Sequence, residues 1–102
     1  MKTQMGTIYK PDGTTEKIYP AKGGKFSLEE LQQAVGGFIE KLYPSIKGCR
    51  QMYCNEEGLL KNLPPNPFTW QLVNHDVYKY DYPPYWRVQG NIISITTEEK
   101  DG

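Results

Sequence analysis

The sequence predicts an α+β domain: a small mixed or antiparallel sheet of about five strands, one main helix over 27–36 packed on it, and a short second helix over 66–73. Three observations carry that prediction. A Lys10-Pro11-Asp12-Gly13 turn separates two short arms with strand-like patterning. A segment starting at Ser27 carries complete helix punctuation. Ile92-Ile93-Ser94-Ile95 is a short apolar run of the kind that forms a buried strand.

The first hairpin is expected over 5–20, with arms Met5–Tyr9 and Thr14–Tyr19. Pro11 presets the first central φ of the turn, Asp12 can bond its own backbone, and Gly13 tolerates positive φ. A Gly/Lys loop follows over 21–25. In the helix, Ser27 is the N-cap and Glu30 completes a capping box. Phe26 and Leu31 form the matching hydrophobic staple. Leu28, Leu31 and Val35 lie on one stripe beside Ala34, and Gly36-Gly37 ends the helix. Phe38–Tyr43 reads as a strand with Phe38, Glu40 and Leu42 on one face, although its pattern is not cleanly two-sided. Pro44–Gly48 is a turn, and Arg50–Asn55 is a strand with Met52 and Cys54 facing one way. Asn55–Gly58 is then a turn that gives a second hairpin, continued weakly by Leu59–Leu63. Asn66 caps the short helix, with Pro67 at its first position and Phe68–Val73 as its body. Val88–Thr96 closes the fold as a strand with a kink at Gly90-Asn91, and 98–102 is a frayed tail.

One domain over 1–102 is what a chain of 102 residues accommodates. Formal charge is zero, 12 basic against 12 acidic residues, so bulk nucleic-acid binding, which rests on phosphate neutralisation, is disfavoured. Lys41, Lys47, Arg50 and Lys61 are candidates for a local basic patch, against the plainer reading of scattered solvated charges. No run reaches a membrane-spanning length, and Met1–Thr7 carries no signal-peptide core. Cys49 and Cys54 are expected to be reduced thiols in a cytoplasmic protein. On a common strand their odd offset sends them to opposite faces.

The chain offers little to catalysis. His75 is its single histidine, and no spacing supplies four metal ligands, so neither a metal nor another cofactor is expected. No nucleophile has a base supplied by local sequence, and the pairs Glu29-Glu30 and Glu56-Glu57 have structural explanations at a helix start and a turn. Lys22–Lys25 before the helix lacks phosphate-loop spacing. The protein is expected not to be an enzyme.

The informative stretch is 75–87, which holds Tyr78, Tyr80, Tyr82, Tyr85 and Trp86. In an extended chain Tyr78, Tyr80 and Tyr82 share a face, alternating with Lys79 and Asp81, before Pro83 and Pro84 force a stiff turn. Tyr, Trp and Arg dominate binding hot spots. The same rings also suit a cover over the core of a small domain, and both readings stand at this point. The candidate contact residues are Asp76, Tyr78, Tyr80, Asp81, Tyr82, Tyr85 and Arg87, with Glu56 and Glu57 from the 55–58 turn.

Pro11–Thr14, Phe26–Glu40, Asn55–Gly58 and Leu63–Asn66, in that order, resemble a family of small uncharacterised proteins carried by phages, plasmids and other mobile elements of gut Firmicutes and Bacteroidetes. The resemblance spans about residues 5–67, and Gly90–Ile95 fits it, whereas 76–87 departs from a shorter, plainer connection. The chain is also similar to small anti-CRISPR proteins that inhibit Cas9. That resemblance implies a non-catalytic, stoichiometric inhibitor that binds Cas9 or its guide-RNA complex in the bacterial cytoplasm, as a monomer or weak dimer, without sequence-specific DNA or membrane binding. Two other classes fit the residues: a sponge for a nucleotide immune signal, stacking a base on Tyr or Trp with Arg87 or Lys79 at a phosphate, and an accessory regulatory domain of a mobile element.

Overall fold

The structure is a computed structural model describing residues 2–46, 49, 51–78, 82 and 86–99. Five strands form one antiparallel sheet: β1 (Lys2–Tyr9), β2 (Thr15–Ile18), β3 (Ile39–Leu42), β4 (Gln51–Asn55) and β5 (Ile92–Glu99), in the order β2-β1-β5-β4-β3. Three helices accompany it among the described residues: α1 (Leu28–Val35), α2 (Thr69–Leu72) and α3 (His75–Tyr78). The fold is α+β, as the sequence predicts. No described helix is long and apolar enough to cross a membrane.

Local chemistry sets the first half. The Lys10 amide donates to Thr14 and the Gly13 amide to Lys10, closing the hairpin turn, while Asp12 Oδ1 accepts from the Thr14 amide at 2.9 Å. Ser27 Oγ accepts the Glu30 amide at 3.1 Å, and Glu30 Oε1 accepts the Ser27 amide at 2.9 Å, so the capping box is complete. Gly36 ends α1 at φ 80°, a left-handed geometry that glycine adopts without a Cβ penalty. The packed stripe is Leu31 and Val35; Leu28, one turn earlier, is 54% exposed and does not join it.

The sheet is covered on both faces. Ile8, Ile93 and Ile95 pack with Leu31 and Val35 of α1. Met52, Cys54, Leu42 and Ile92 pack with Leu72, Val73 and Val88 on the opposite face. Ile92 and Ile93 thus serve different cores, which is why β5 reads as a continuous apolar run rather than an alternating one. Both thiols are free and buried in the second core. The odd-offset argument does not apply to them, because Cys49 precedes β4.

Four segments depart from the sequence reading. The second hairpin joins β3 to β4, with Glu40 opposite Cys54. Leu59–Leu63 is not its continuation: the Lys61 amide bonds back to Glu57, Asn62 to Leu59 and Leu63 to Gly58, so the segment folds into local turns instead of a strand. β5 begins at Ile92 rather than Val88, because 88–90 pairs with 64–66 through Asn66 N–H to Val88 O and Gly90 N–H to Pro64 O. Gly90, at φ 95°, redirects the chain into the strand. At the other end β5 continues to Glu99, paired with Lys2, so part of the expected tail is strand. The short helix spans only Thr69–Leu72; Asn66 precedes it and accepts the Phe68 amide on its side chain. Of the proposed basic patch, Lys41 and Lys61 are exposed, while Lys47 and Arg50 lie outside the described residues.

Candidate functional site

α2 and α3 carry an aromatic cluster onto the second face of the sheet. Trp86 is its hub: stacked on Tyr82 at 4.3 Å and 21°, 5.3 Å from Tyr78, and edge-on to Trp70 at 5.8 Å. Tyr78 reaches Tyr43, at the end of β3, at 6.2 Å between rings, and its hydroxyl accepts the Tyr43 amide at 3.1 Å. His75 opens α3 with its ring 4.4 Å from Trp70 and its Nε2 2.6 Å from the Trp70 carbonyl oxygen. The extended, alternating arrangement of Tyr78 and Tyr82 is not what forms. Residues 75–78 are helical and the Tyr82 amide donates to Tyr78 O at 3.1 Å, so the two rings meet at helical spacing, 5.9 Å apart.

The inner rings, Trp70, Tyr78 and Trp86, pack on the core, while Tyr82 is 39% exposed. Beside them lies a cleft of about 360 Å³ whose lining includes Tyr78, Tyr82, Trp86, Arg87, Glu40 and Glu56. The sheet register brings in the carboxylates. Phe38 O accepts the Glu56 amide, which extends the β3–β4 pairing by one residue and makes Glu40 and Glu56 diagonal neighbours on one face. Glu40, Glu56 and Arg87 thus line one cleft, and Arg87 also bonds Trp86 O at 2.8 Å with its guanidinium 5.9 Å from the Trp70 ring centre.

The electrostatics follow. Partial desolvation of its carboxylate, on a residue that is itself exposed, then the neighbouring Glu56 charge, pushes the Glu40 pKa above the ordinary carboxylate value. Burial, then Glu40, pushes the Cys54 thiol up to about 12. Burial also raises Tyr78 and Cys49. The folded state thus holds the Glu40 proton more readily than the unfolded chain. Ionising Glu40 costs stability, with no penalty below the unfolded pKa and the full penalty above the folded one. Glu40→Gln is accordingly expected to raise the melting temperature at neutral pH, and the gain is expected to vanish below about pH 3, where both states carry the proton. Thermal melts at the two pH values check this.

The other sequence candidates disperse. Asp76 sits exposed in the first turn of α3, its amide bonded to Asn74 Oδ1 at 3.0 Å, and does not line the cleft. The Glu57 amide donates to Asn55 Oδ1 at 2.7 Å within the turn, and Glu57 does not line the cleft either. Tyr80, Asp81 and Tyr85 lie outside the described residues. The sequence reading omitted Glu40, Tyr43 and Trp70. Glu40 left a signal: a lone carboxylate at period two between apolar Phe38 and Leu42.

A larger cleft, about 620 Å³, lies between the hairpin turn and the C-terminal end of α1. Its charged groups are engaged within the hairpin: Lys10 Nζ sits 2.9 Å from Glu16, and the Thr14 hydroxyl donates to Asp12 at 2.6 Å. It offers a ligand less free chemistry than the aromatic–acidic cleft. Among the described residues no group of three His, Cys, Asp or Glu side chains is placed to hold a metal ion.

No curated protein and no solved structure matches the chain. A family model described as a domain of unknown function (DUF3846) matches residues 7–100, a span that takes in the aromatic segment as well as the sheet. The chain belongs to the DUF3846 family.

Proposed function

We propose that this chain is a non-catalytic binding protein whose aromatic–acidic cleft receives a cationic surface of a protein partner. The observation that carries this reading is the placement of Glu40 and Glu56 in one cleft with Tyr78, Tyr82 and Trp86. Aromatic side chains supply large contact area at low entropic cost, and a carboxylate pair selects positive charge. The two thiols, both raised by burial, are poor nucleophiles.

The resemblance to anti-CRISPR proteins supplies the partner: Cas9 or its guide-RNA complex, met in the bacterial cytoplasm. Nucleic-acid channels of that nuclease are strongly basic, the charge this cleft complements. A chain of zero formal charge is no bulk mimic of DNA, so contact rests on the local arrangement. A nucleotide sponge fits less well, because Glu40 and Glu56 repel a phosphate near the stacked Tyr82 and Trp86 rings.

The test is cleavage of plasmid DNA by Cas9 with the purified protein titrated in before and after guide loading. Dose-dependent protection that saturates near stoichiometry is the expected result, and the order of addition identifies the form bound. Full cleavage at large molar excess across several Cas9 orthologues rules out this partner.

A further inference from the structure

β3 is an edge strand, and its hydrogen-bond phase identifies which groups face outward. The Glu56 amide donates to Phe38 O, so 38 and 56 are a hydrogen-bonded pair. Alternation then makes Glu40–Cys54 and Leu42–Met52 hydrogen-bonded pairs as well. The N–H and C=O groups of Ile39 and Lys41 consequently point away from β4. One residue further on, the outward groups are occupied: the Tyr43 amide donates to the Tyr78 hydroxyl, Tyr43 O accepts the Asn74 amide, and Pro44 bridges Val73. Among the described residues the protein thus covers this edge with its own chain from Tyr43 onward and leaves it open over Ile39–Lys41.

The open stretch borders the candidate site. Glu40 projects between Ile39 and Lys41 onto the cleft face. Phe38, 62% exposed, and Leu59, 76% exposed and lining the cleft, supply apolar surface at the same end. The opposite edge differs. In β2 the outward residues are Thr15 and Lys17, and the neighbouring Glu16 is already paired with Lys10.

We propose that the partner adds an extended segment along Ile39–Lys41 of β3, with a lysine or arginine opposite Glu40. This rests on the reading of the cleft as the contact surface and specifies the partner's element. Open backbone groups on an edge select an extended chain, since they need donors and acceptors at strand spacing. Side-chain alternation places the partner residue opposite Glu40 on the cleft face that Glu56 also occupies, where a cation is favoured. The raised Glu40 pKa is the cost that such a cation would relieve.

The test uses a short synthetic peptide in which valine alternates with lysine, and the same peptide N-methylated so that it cannot pair. Amide exchange is followed residue by residue. In the free protein the Glu40 and Leu42 amides are already bonded to β4, so they serve as internal controls. Saturating unmethylated peptide is expected to slow exchange at Ile39 and Lys41 by at least about tenfold, and the methylated peptide to bind at least about tenfold more weakly. Glu40→Lys is expected to weaken the unmethylated peptide similarly. Binding that shifts the Trp86 indole and Tyr82 signals while leaving Ile39 and Lys41 exchange unchanged would overturn edge pairing and leave the cleft reading standing. No response at either place at millimolar peptide overturns both.

Discussion

Replacing Asn66 by alanine is expected to lower folding stability by about 3–5 kcal/mol, a large effect for a polar residue. Asn66 is fully buried. Its Nδ2 donates to Tyr9 O at 2.8 Å and to Gly90 O at 3.0 Å, and its Oδ1 accepts the Phe68 amide at 2.9 Å. These bonds tie β1, the 88–90 segment and the start of α2 to one side chain. Alanine leaves the buried Gly90 carbonyl and the Phe68 amide without these partners, at about 1–3 kcal/mol each before relaxation, and removes the second bond to Tyr9 O. Aspartate is expected to be nearly as harmful, because it keeps the acceptor but not the Nδ2 donor. For a domain near 100 residues the loss corresponds to a melting temperature lower by roughly 15–30 °C. Thermal denaturation measures it; a change under about 5 °C would mean that the network is not what joins these elements.

Trp86 and Tyr82 are expected to separate two roles of the aromatic cluster. Trp86 contacts Tyr78, Tyr82 and Trp70 and packs on the core around Met52 and Cys54. Trp86→Ala removes those contacts and leaves a void, at a cost of about 2–3 kcal/mol. Tyr82 rests on the outside of Trp86 with more than a third of its surface in solvent. Tyr82→Ala is expected to cost under about 1 kcal/mol in stability, yet to weaken partner binding at least about tenfold, as loss of an aromatic anchor does. Melting curves and binding isotherms of the two variants decide it. A Tyr82→Ala protein that melts as low as Trp86→Ala would make Tyr82 a core cover.

Half of this fold was legible because its determinants are local. The Lys10–Gly13 turn and the Ser27–Glu30 box each fix geometry within four residues, and both form as read. Residues 88–91 were misread as strand because their pairing is decided by Asn66, more than twenty positions away. Leu59–Leu63 had apolar residues at both ends but lacked a partner strand, and Asn55 started a turn by accepting the Glu57 amide. The spacing of Tyr78, Tyr80 and Tyr82 fits a strand at period two, and Tyr78 with Tyr82 also fits one helical turn. The local arbiter is Asn74, whose side chain caps α3 and tips the segment toward the helix, a signal the sequence reading did not use.

The candidate site divides along the same line. Its aromatic half was visible in composition. Its acidic half was only partly so: Glu56 was named for lying in a turn, whereas Glu40 becomes relevant through the β3–β4 register. Glu40 is an exposed charge on β3, and only the pairing with β4 shows that it shares a face with Glu56.

The measurement that tests the account most directly compares wild type with the charge-reversed variant Glu56→Lys in the Cas9 cleavage assay, with melting temperatures taken alongside. Glu56 is exposed, so the variant is expected to melt within a few degrees of wild type. Wild type is expected to protect the plasmid, and Glu56→Lys to need at least about a hundredfold more protein to do so. Equal protection by an equally stable variant would contradict the claim that the aromatic–acidic cleft is the surface that meets the partner.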